Sequence, residues 1–358
     1  MAPANADVAS NFRRVDRVFA EVMTMLLLRF FAYQLEPTKR LQCWPLKELL
    51  TVVRWCRTYL STYAPAFLAF AAAAMTPYPN GAANRSLETE QTRFIEVKDI
   101  RFAYRSFGRT QGVPLVFLQH FTGTMDSWDP ALVNPLAATR PVIVFNNTGV
   151  GNSSGTTPDS VEQMAVDAAT FIAALEFKQI DLLGFSLGGF IAQVLAAQKP
   201  HLVRKLIVAG SAPRGGEEHL LAVLKDALSR GVPDPRVPLF FTPSEESQAA
   251  GQAFVQRAAV RVKDRDPEST ETVSNPQAEA IITWCAVEDP GHASLKAITQ
   301  PTLIVHGSDD TMFPSGNAYA MFKAMSTAQL ILYPDAGHGA IFQHHRAFVG
   351  NALTFLDG

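Results

Sequence analysis

From about Arg93 onward, short apolar runs rich in β-branched residues alternate with stretches whose apolar positions recur every three to four residues. The runs predict strands near Arg93–Val97, Ile100–Phe107, Pro114–Leu118, Pro141–Phe145, Gln179–Gly184, Arg204–Val208, Pro301–His306 and Gln329–Tyr333. Strands that alternate with helices predict an α/β fold, here a mostly parallel eight-stranded sheet flanked by helices. Between Asp159 and Phe177, Val161, Met164, Ala168, Phe171, Ile172 and Leu175 fall on one helical face, and Ser160-Val161-Glu162-Gln163 has the form of a capping box.

The alternation breaks between Ala212 and about Thr299, where Pro233, Pro235, Pro238, Pro243 and Pro267 mix with charge clusters. This pattern predicts an inserted helical lid at 213–299 that splits a core of 91–212 and 300–358. Phe240, Phe241, Phe254 and Trp284 either face a substrate or hold the lid's own core. Ahead of the core, residues 1–90 form an extension with two apolar runs. Val18–Leu35 is broken by Glu21 and Arg29; Thr58–Met75 is uncharged, follows Arg54 and Arg57, and contains Pro65. The extension reads as a membrane anchor through residues 1–75, a regulatory segment, or a gene-model artefact ahead of a start at Met75.

Composition narrows the class. A chain of 358 residues, 47% hydrophobic and 18% charged with net charge −2, is long enough for a sizeable core and has no electrostatic footprint for nucleic acid. Cys43, Cys56 and Cys285 are too scattered for a disulfide framework or a zinc site, which points to a reducing compartment. Glycosylation triplets begin at Asn84, Asn146 and Asn152, the last two where an active-site rim is expected. A glycan there would obstruct a cleft, so the expected location is cytoplasmic, with membrane association through the amino-terminal apolar segment as the alternative.

Candidate chemistry begins at Gly184-Phe185-Ser186-Leu187-Gly188, a G-x-S-x-G turn between the apolar run Ile180–Leu183 and the helical pattern Phe190–Ala197. That context marks Ser186 as a nucleophile and the Leu187 amide as an oxyanion donor. A serine hydroxyl needs a base and a group to orient that base. The strand at Pro301–His306 runs into an acidic turn with Asp309 and Asp310, closed by Pro314, and the loop after the last strand carries His338 between Gly337 and Gly339. Adjacent His344 and His345 point about 100° apart on a helix and make a poor metal-chelating pair.

Together these motifs resemble the α/β-hydrolase superfamily, over about Arg93 to Leu356. Its G-x-x-D-x-x-x-P pattern is matched by Gly307, Asp310 and Pro314, which selects Asp310 as the acid over Asp309, and its chain order of Ser, Asp, His is met by Ser186, Asp310 and His338. Gln119-His120-Phe121 resembles the superfamily's His-Gly-Phe, which implies the Phe121 amide as the second oxyanion donor, with His120 as the fallback. Asn146-Asn147-Thr148-Gly149-Val150-Gly151-Asn152-Ser153 keeps the glycines and serine of another superfamily loop but replaces its acid, and reads as structural. As a dinucleotide loop it lacks a third glycine and a downstream acid.

The resemblance implies a serine hydrolase that cleaves an ester, thioester or lactone of a small apolar molecule through an acyl-enzyme, with no cofactor and no metal. A serine nucleophile sets the chain apart from haloalkane dehalogenases and epoxide hydrolases, which use a carboxylate. Carbon–carbon bond hydrolysis and cofactor-free haloperoxidase or perhydrolase chemistry on the same triad stay open. So does a non-enzymatic ligand-binding protein of the same fold. The expected partner is a small-molecule substrate; oligomeric state leaves no sequence signal.

Overall fold

The computed structural model describes residues 85–358. The apolar runs of the earlier extension, together with Cys43, Cys56 and Asn84, lie outside the described residues. Leu87 is buried in the hydrophobic core, so chain before the first strand already packs on this domain.

Eight strands form one sheet: β1 (Arg93–Val97), β2 (Ile100–Gly108), β3 (Leu115–Leu118), β4 (Pro141–Phe145), β5 (Ile180–Phe185), β6 (Val203–Ala209), β7 (Thr302–Gly307) and β8 (Ala328–Tyr333). They lie in the order β1-β2-β4-β3-β5-β6-β7-β8, antiparallel at β1/β2 and β2/β4 and parallel at the other five pairings. The central strands β3, β5 and β7 are buried at every position, as expected of parallel strands covered on both faces.

The helices that cover the sheet within the core are α1 (Pro130–Ala137), α2 (Val161–Ala174) and α3 (Leu187–Gln198). Helix α3 is buried from Leu187 to Ala196 and packs on β3, β5 and β6, which is why its sequence is apolar nearly all round. Ser160 does precede α2, but its side chain makes no cap bond. Gln163, the other half of the expected box, donates instead to Asp167 Oδ1 at 2.8 Å, one helical turn on.

Between β6 and β7 the chain forms α4 (Leu220–Ser229), α5 (Arg236–Phe240), α6 (Glu245–Ala258), α7 (Glu271–Ala286) and α8 (Ala293–Lys296). The closing part of the chain adds α9 (Gly316–Ala324), α10 (Ala340–Gln343) and α11 (His345–Asp357). The inserted helices are tied to the core by aromatic and ionic contacts. Phe254 stacks on Phe342 with centroids 4.6 Å apart, and Trp284 stacks on Phe190 at 5.4 Å while the Arg214 guanidinium covers the Trp284 ring. Arg257 grips fully buried Asp129 at 2.9 and 2.7 Å.

Asp129 has a second task. Its Oδ1 accepts the Ala131 N–H at 2.8 Å and caps α1, whose first residue is Pro130. Among the described residues no helix is long and apolar enough to cross a membrane. The doubly used carboxylate predicts that Asp129→Ala loses roughly 2–4 kcal/mol of stability, through the lost cap and the stranded arginine. Asp129→Asn, which keeps an acceptor for the cap, should lose less. Urea unfolding of the two variants checks this, and equal losses would mean that the cap contributes nothing.

Candidate active site

The loop between β5 and α3 turns within a single residue. Ser186 has φ 57° and ψ −123°, a left-handed conformation that a non-glycine residue adopts only when its surroundings impose it. The flanking glycines serve a different purpose, because neither Gly184 nor Gly188 has positive φ. A Cβ on Gly188 would lie 2.0 Å from the Leu118 carbonyl oxygen, and one on Gly184 would lie 2.2 Å from the Gly188 oxygen. The motif thus encodes close backbone approach around a strained serine. Its consequence is that α3 starts against the carboxyl end of β3.

Asp310 follows β7 and is buried, whereas its rival Asp309 is exposed and hydrogen-bonded to Ser308. Asp310 Oδ1 accepts the Met312 and Phe313 N–H groups at 2.9 and 3.0 Å, and Oδ2 accepts from His338 Nδ1 at 2.9 Å. The acidic turn meets the His338 loop at another contact too close for a side chain: a Cβ on Gly307 would lie 2.2 Å from the carbonyl oxygens of both Ala336 and Gly337. With Nδ1 committed to the carboxylate, His338 keeps Nε2 for the cavity that Ser186 also lines. No hydrogen bond links Ser186 and His338 among the described residues.

A group that sequence reasoning missed stands behind Asp310. His306, the fifth residue of β7, is fully buried, and its Nε2 lies 2.7 Å from the Phe313 carbonyl and 3.2 Å from Asp310 Oδ2. A single histidine inside an apolar strand has no signal that separates it from a core residue. Burial alone would push the Asp310 carboxyl up, but the imidazoles of His338 and His306 hold it well below the usual carboxylate range. The His338 ring is itself boxed by Phe185, Phe240 and Phe313, with centroids 5.0, 5.6 and 5.5 Å away.

The loop after β3 brings the remaining candidates to the same place. Its His120 N–H is taken by Gln119 Oε1 at 2.9 Å, which leaves the fallback amide occupied. Phe121 forms no hydrogen bond through its N–H among the described residues, and Leu187, as the first residue of α3, has no intrahelical acceptor for its own. Thr122 adopts φ 58°, a strained value for a β-branched residue. It is held by the inserted segment: Gln277 Oε1 accepts its N–H at 2.6 Å and Ser269 donates to its carbonyl at 2.8 Å.

These residues surround a cavity of about 460 Å³ whose wall mixes two kinds of surface. The core gives His120, Phe121, Ser186, Met312 and His338; the inserted helices and their loops give apolar Leu224, Leu228, Leu239 and Phe240 and charged Asp234, Arg236, Arg265, Asp266 and Glu268. Of the four aromatics weighed from the sequence, only Phe240 reaches this wall. Phe254 and Trp284 join the insert to the core instead, and Phe241 packs on Phe254 within the insert. The Asn146 loop is a bracket, as expected. Buried Asn146 accepts the Met125 N–H at 2.8 Å, and Asn152 donates to Asp266 Oδ1 at 2.7 Å. His344 stacks on Tyr333, and His345 Nδ1 contacts the Phe342 carbonyl, so the two rings serve different neighbours. Burial pushes the Cys285 thiol up to about 12, outside the range of a reactive thiolate.

Residues 113–345 match the model of a family described as alpha/beta hydrolase fold. A proline iminopeptidase of Pestalotiopsis fici is 27% identical over 283 residues, which span 74% of this chain and 99% of that protein. A pimeloyl-[acyl-carrier protein] methyl ester esterase of Nitrosomonas europaea is 26% identical over 249 residues, 66% of this chain and 93% of that one. Among solved structures, an alpha/beta hydrolase fold protein from Chitinophaga pinensis is 41% identical and superposes with a TM-score of 0.72, covering 76% of this chain and all of that one.

The depressed Asp310 carboxyl carries a stability consequence. A group whose folded pKa lies below its unfolded value of about 3.9 stabilises the fold above that pH, and the contribution fades as the pH falls through the folded value. The stability of the wild type relative to Asp310→Asn should therefore be largest near neutrality and shrink below about pH 3.9. Urea unfolding at a series of pH values measures it; a difference that stays constant down the series would contradict the ionised, histidine-paired carboxylate.

Proposed function

The chain belongs to the α/β-hydrolase fold family and is a serine hydrolase of it, and from that premise we propose that it cleaves a carboxylic ester, thioester or lactone of a small molecule through an acyl-enzyme. The observation that carries this reading is the junction of the strained Ser186 turn and the Asp310–His338 pair on one cavity. In the proposed reaction the Ser186 hydroxyl attacks the substrate carbonyl while His338 Nε2 takes its proton, and a bond forms between Oγ and the carbonyl carbon. Asp310 holds the imidazole in the tautomer that leaves Nε2 free and stabilises the imidazolium that follows. The negative oxygen is received by the amides of Phe121 and Leu187, an arrangement whose single donors contribute roughly 2.7–4 kcal/mol in related chemistry.

Collapse of the tetrahedral species breaks the bond to the leaving oxygen or sulfur, which departs with the proton held by His338. Water then attacks the acyl-enzyme, gives its proton to His338, and releases the acid as the proton returns to Ser186. The helices of residues 213–299 act as a lid in this proposal: they supply the apolar wall of Leu224, Leu228, Leu239 and Phe240 for the substrate's hydrocarbon part. The same catalytic groups could act on a carbon–carbon bond or form a peracid, so the substrate panel must include diketones and a halide-oxidation assay beside esters, thioesters and lactones. The buried position of Asn146 fits the cytoplasmic location we propose, since a folded chain could not carry a glycan there.

A fluorophosphonate probe should label the wild-type protein at Ser186 and leave Ser186→Ala unlabelled. On the best ester of the panel, Ser186→Ala should lower kcat by at least about 10⁴-fold and Asp310→Asn by about 10⁴-fold, with circular dichroism unchanged. Wild-type turnover retained by Ser186→Ala would defeat the proposal.

A further inference from the structure

The turn after β3 has nearly all of its backbone hydrogen-bonding groups committed. The His120 carbonyl accepts the Gly123 N–H at 3.0 Å, which closes a four-residue turn with Phe121 and Thr122 at its centre. The His120 N–H goes to Gln119 Oε1, and the Phe121 carbonyl accepts from His120 Nδ1 at 2.8 Å. Thr122 is held at both of its backbone groups by the insert, its N–H by Gln277 Oε1 at 2.6 Å and its carbonyl by the Ser269 hydroxyl at 2.8 Å. The Phe121 N–H is the central donor left over among the described residues.

Two details indicate that the insert imposes this shape. The third position of a turn with φ 58° is ordinarily glycine or asparagine, and Thr122 is β-branched, so the turn does not hold itself. Gln277 lies on the buried face of α7 with Val273, Ala280, Ile281 and Trp284 and is 1% exposed. An amide in such an apolar row costs stability unless its polar atoms are used, and the Thr122 N–H is what its oxygen accepts. Phe121, Thr122 and Ser269 line the cavity with Ser186, whereas Gln277 does not. The glutamine therefore acts on a substrate only through the turn.

We propose that Gln277, together with Ser269, is a positioning residue for the oxyanion hole: the insert holds Thr122 in its left-handed conformation and so fixes the turn from which the Phe121 N–H meets the oxyanion. The insert that walls the cavity thereby also completes the donor set of the core. Without the clamp Thr122 relaxes toward negative φ, which rotates the peptide unit after Phe121 and reshapes the turn. A displaced donor loses most in the transition state, where the charge on oxygen is largest, and little in the ground state. This inference rests on the serine-hydrolase reading for the role of the Phe121 amide.

Gln277→Met, similar in size but without the acceptor, should lower kcat about tenfold on the best ester of the panel and leave KM within about twofold. A trifluoromethyl ketone forms an adduct in which its carbonyl carbon binds the Ser186 oxygen, the hydroxyl proton passes to His338 and the carbonyl oxygen becomes an oxyanion. Its affinity should fall by a factor similar to that in kcat. Gln277→Glu, which retains an oxygen acceptor, should recover most of both, and Ser269→Ala should lower kcat in the same direction. Hydrogen exchange over residues 119–124, followed by mass spectrometry, should be faster in Gln277→Met than in the wild type. Wild-type kcat in Gln277→Met, equal losses in the Met and Glu variants, a loss of kcat without loss of ketone affinity, or unchanged exchange would each overturn the inference. A wild type that neither turns over the panel nor reacts with a fluorophosphonate would instead sink the hydrolase reading, and the exchange comparison would still show whether the clamp exists.

Discussion

The geometry of the site depends on backbone segments that approach one another more closely than any side chain would allow. At Gly188 the start of α3 lies against the Leu118 carbonyl, where the space left for a Cβ is 2.0 Å, and at Gly307 the end of β7 meets the backbone of Ala336 and Gly337 at 2.2 Å. The first contact sets the Leu187 amide beside the loop that carries Phe121. The second joins the Asp310 turn to the His338 loop. Methyl groups at these points would drive the segments apart by an ångström or more, and hydrogen-bonded groups such as Asp310 and His338 tolerate much less than that. Strain at Ser186 persists because both sides of its turn are packed too tightly to relax.

Much of this was legible in the sequence because it rests on local patterns. All eight strands lie within one or two residues of the apolar runs that predict them, and the signal is strongest at β3, β5 and β7, because a parallel strand buried on both faces has few alternatives to a continuous apolar segment. Ser186, Asp310 and His338 each follow a strand within a distinctive turn. What stayed hidden depends on neighbours distant in the chain. His306 sits within an apolar strand and gains its meaning only when Asp310 folds back over it. The capping box at Ser160 failed because Gln163 found a better partner in Asp167, a competition that a four-residue pattern does not contain. Likewise the aromatics of the insert could not be sorted from spacing. Phe240 faces the cavity and Phe254 faces Phe342, and only the packing of α5 and α6 decides which is which.

Core and insert differ in the kind of chemistry they can offer. The sheet side of the cavity is dry and rigid: Asp310, His338 and Ser186 are nearly inaccessible and surrounded by phenylalanine rings. Charges there interact strongly because little water screens them. The insert brings Arg236, Arg265 and Glu268 to the opposite wall in a more exposed setting, where Arg236 is already paired with Asp234. Polar groups in such a setting steer and orient a ligand more than they stabilise a developing charge. The clamp from Gln277 and Ser269 to Thr122 is where the two walls are mechanically joined.

The two histidines of the cavity are linked by charge as well as by place. A charge on His338 would oppose a charge on His120. Burial between Phe185 and Phe240 removes that conflict, because desolvation holds the His120 ring neutral at neutral pH. Arg236 reinforces the effect from the insert side. On the other side His338 meets Asp310, and His306 behind that carboxylate helps keep it ionised. The site thus combines an ionised carboxylate at Asp310 with a neutral imidazole at His120, each held in its state by its packing and its partners.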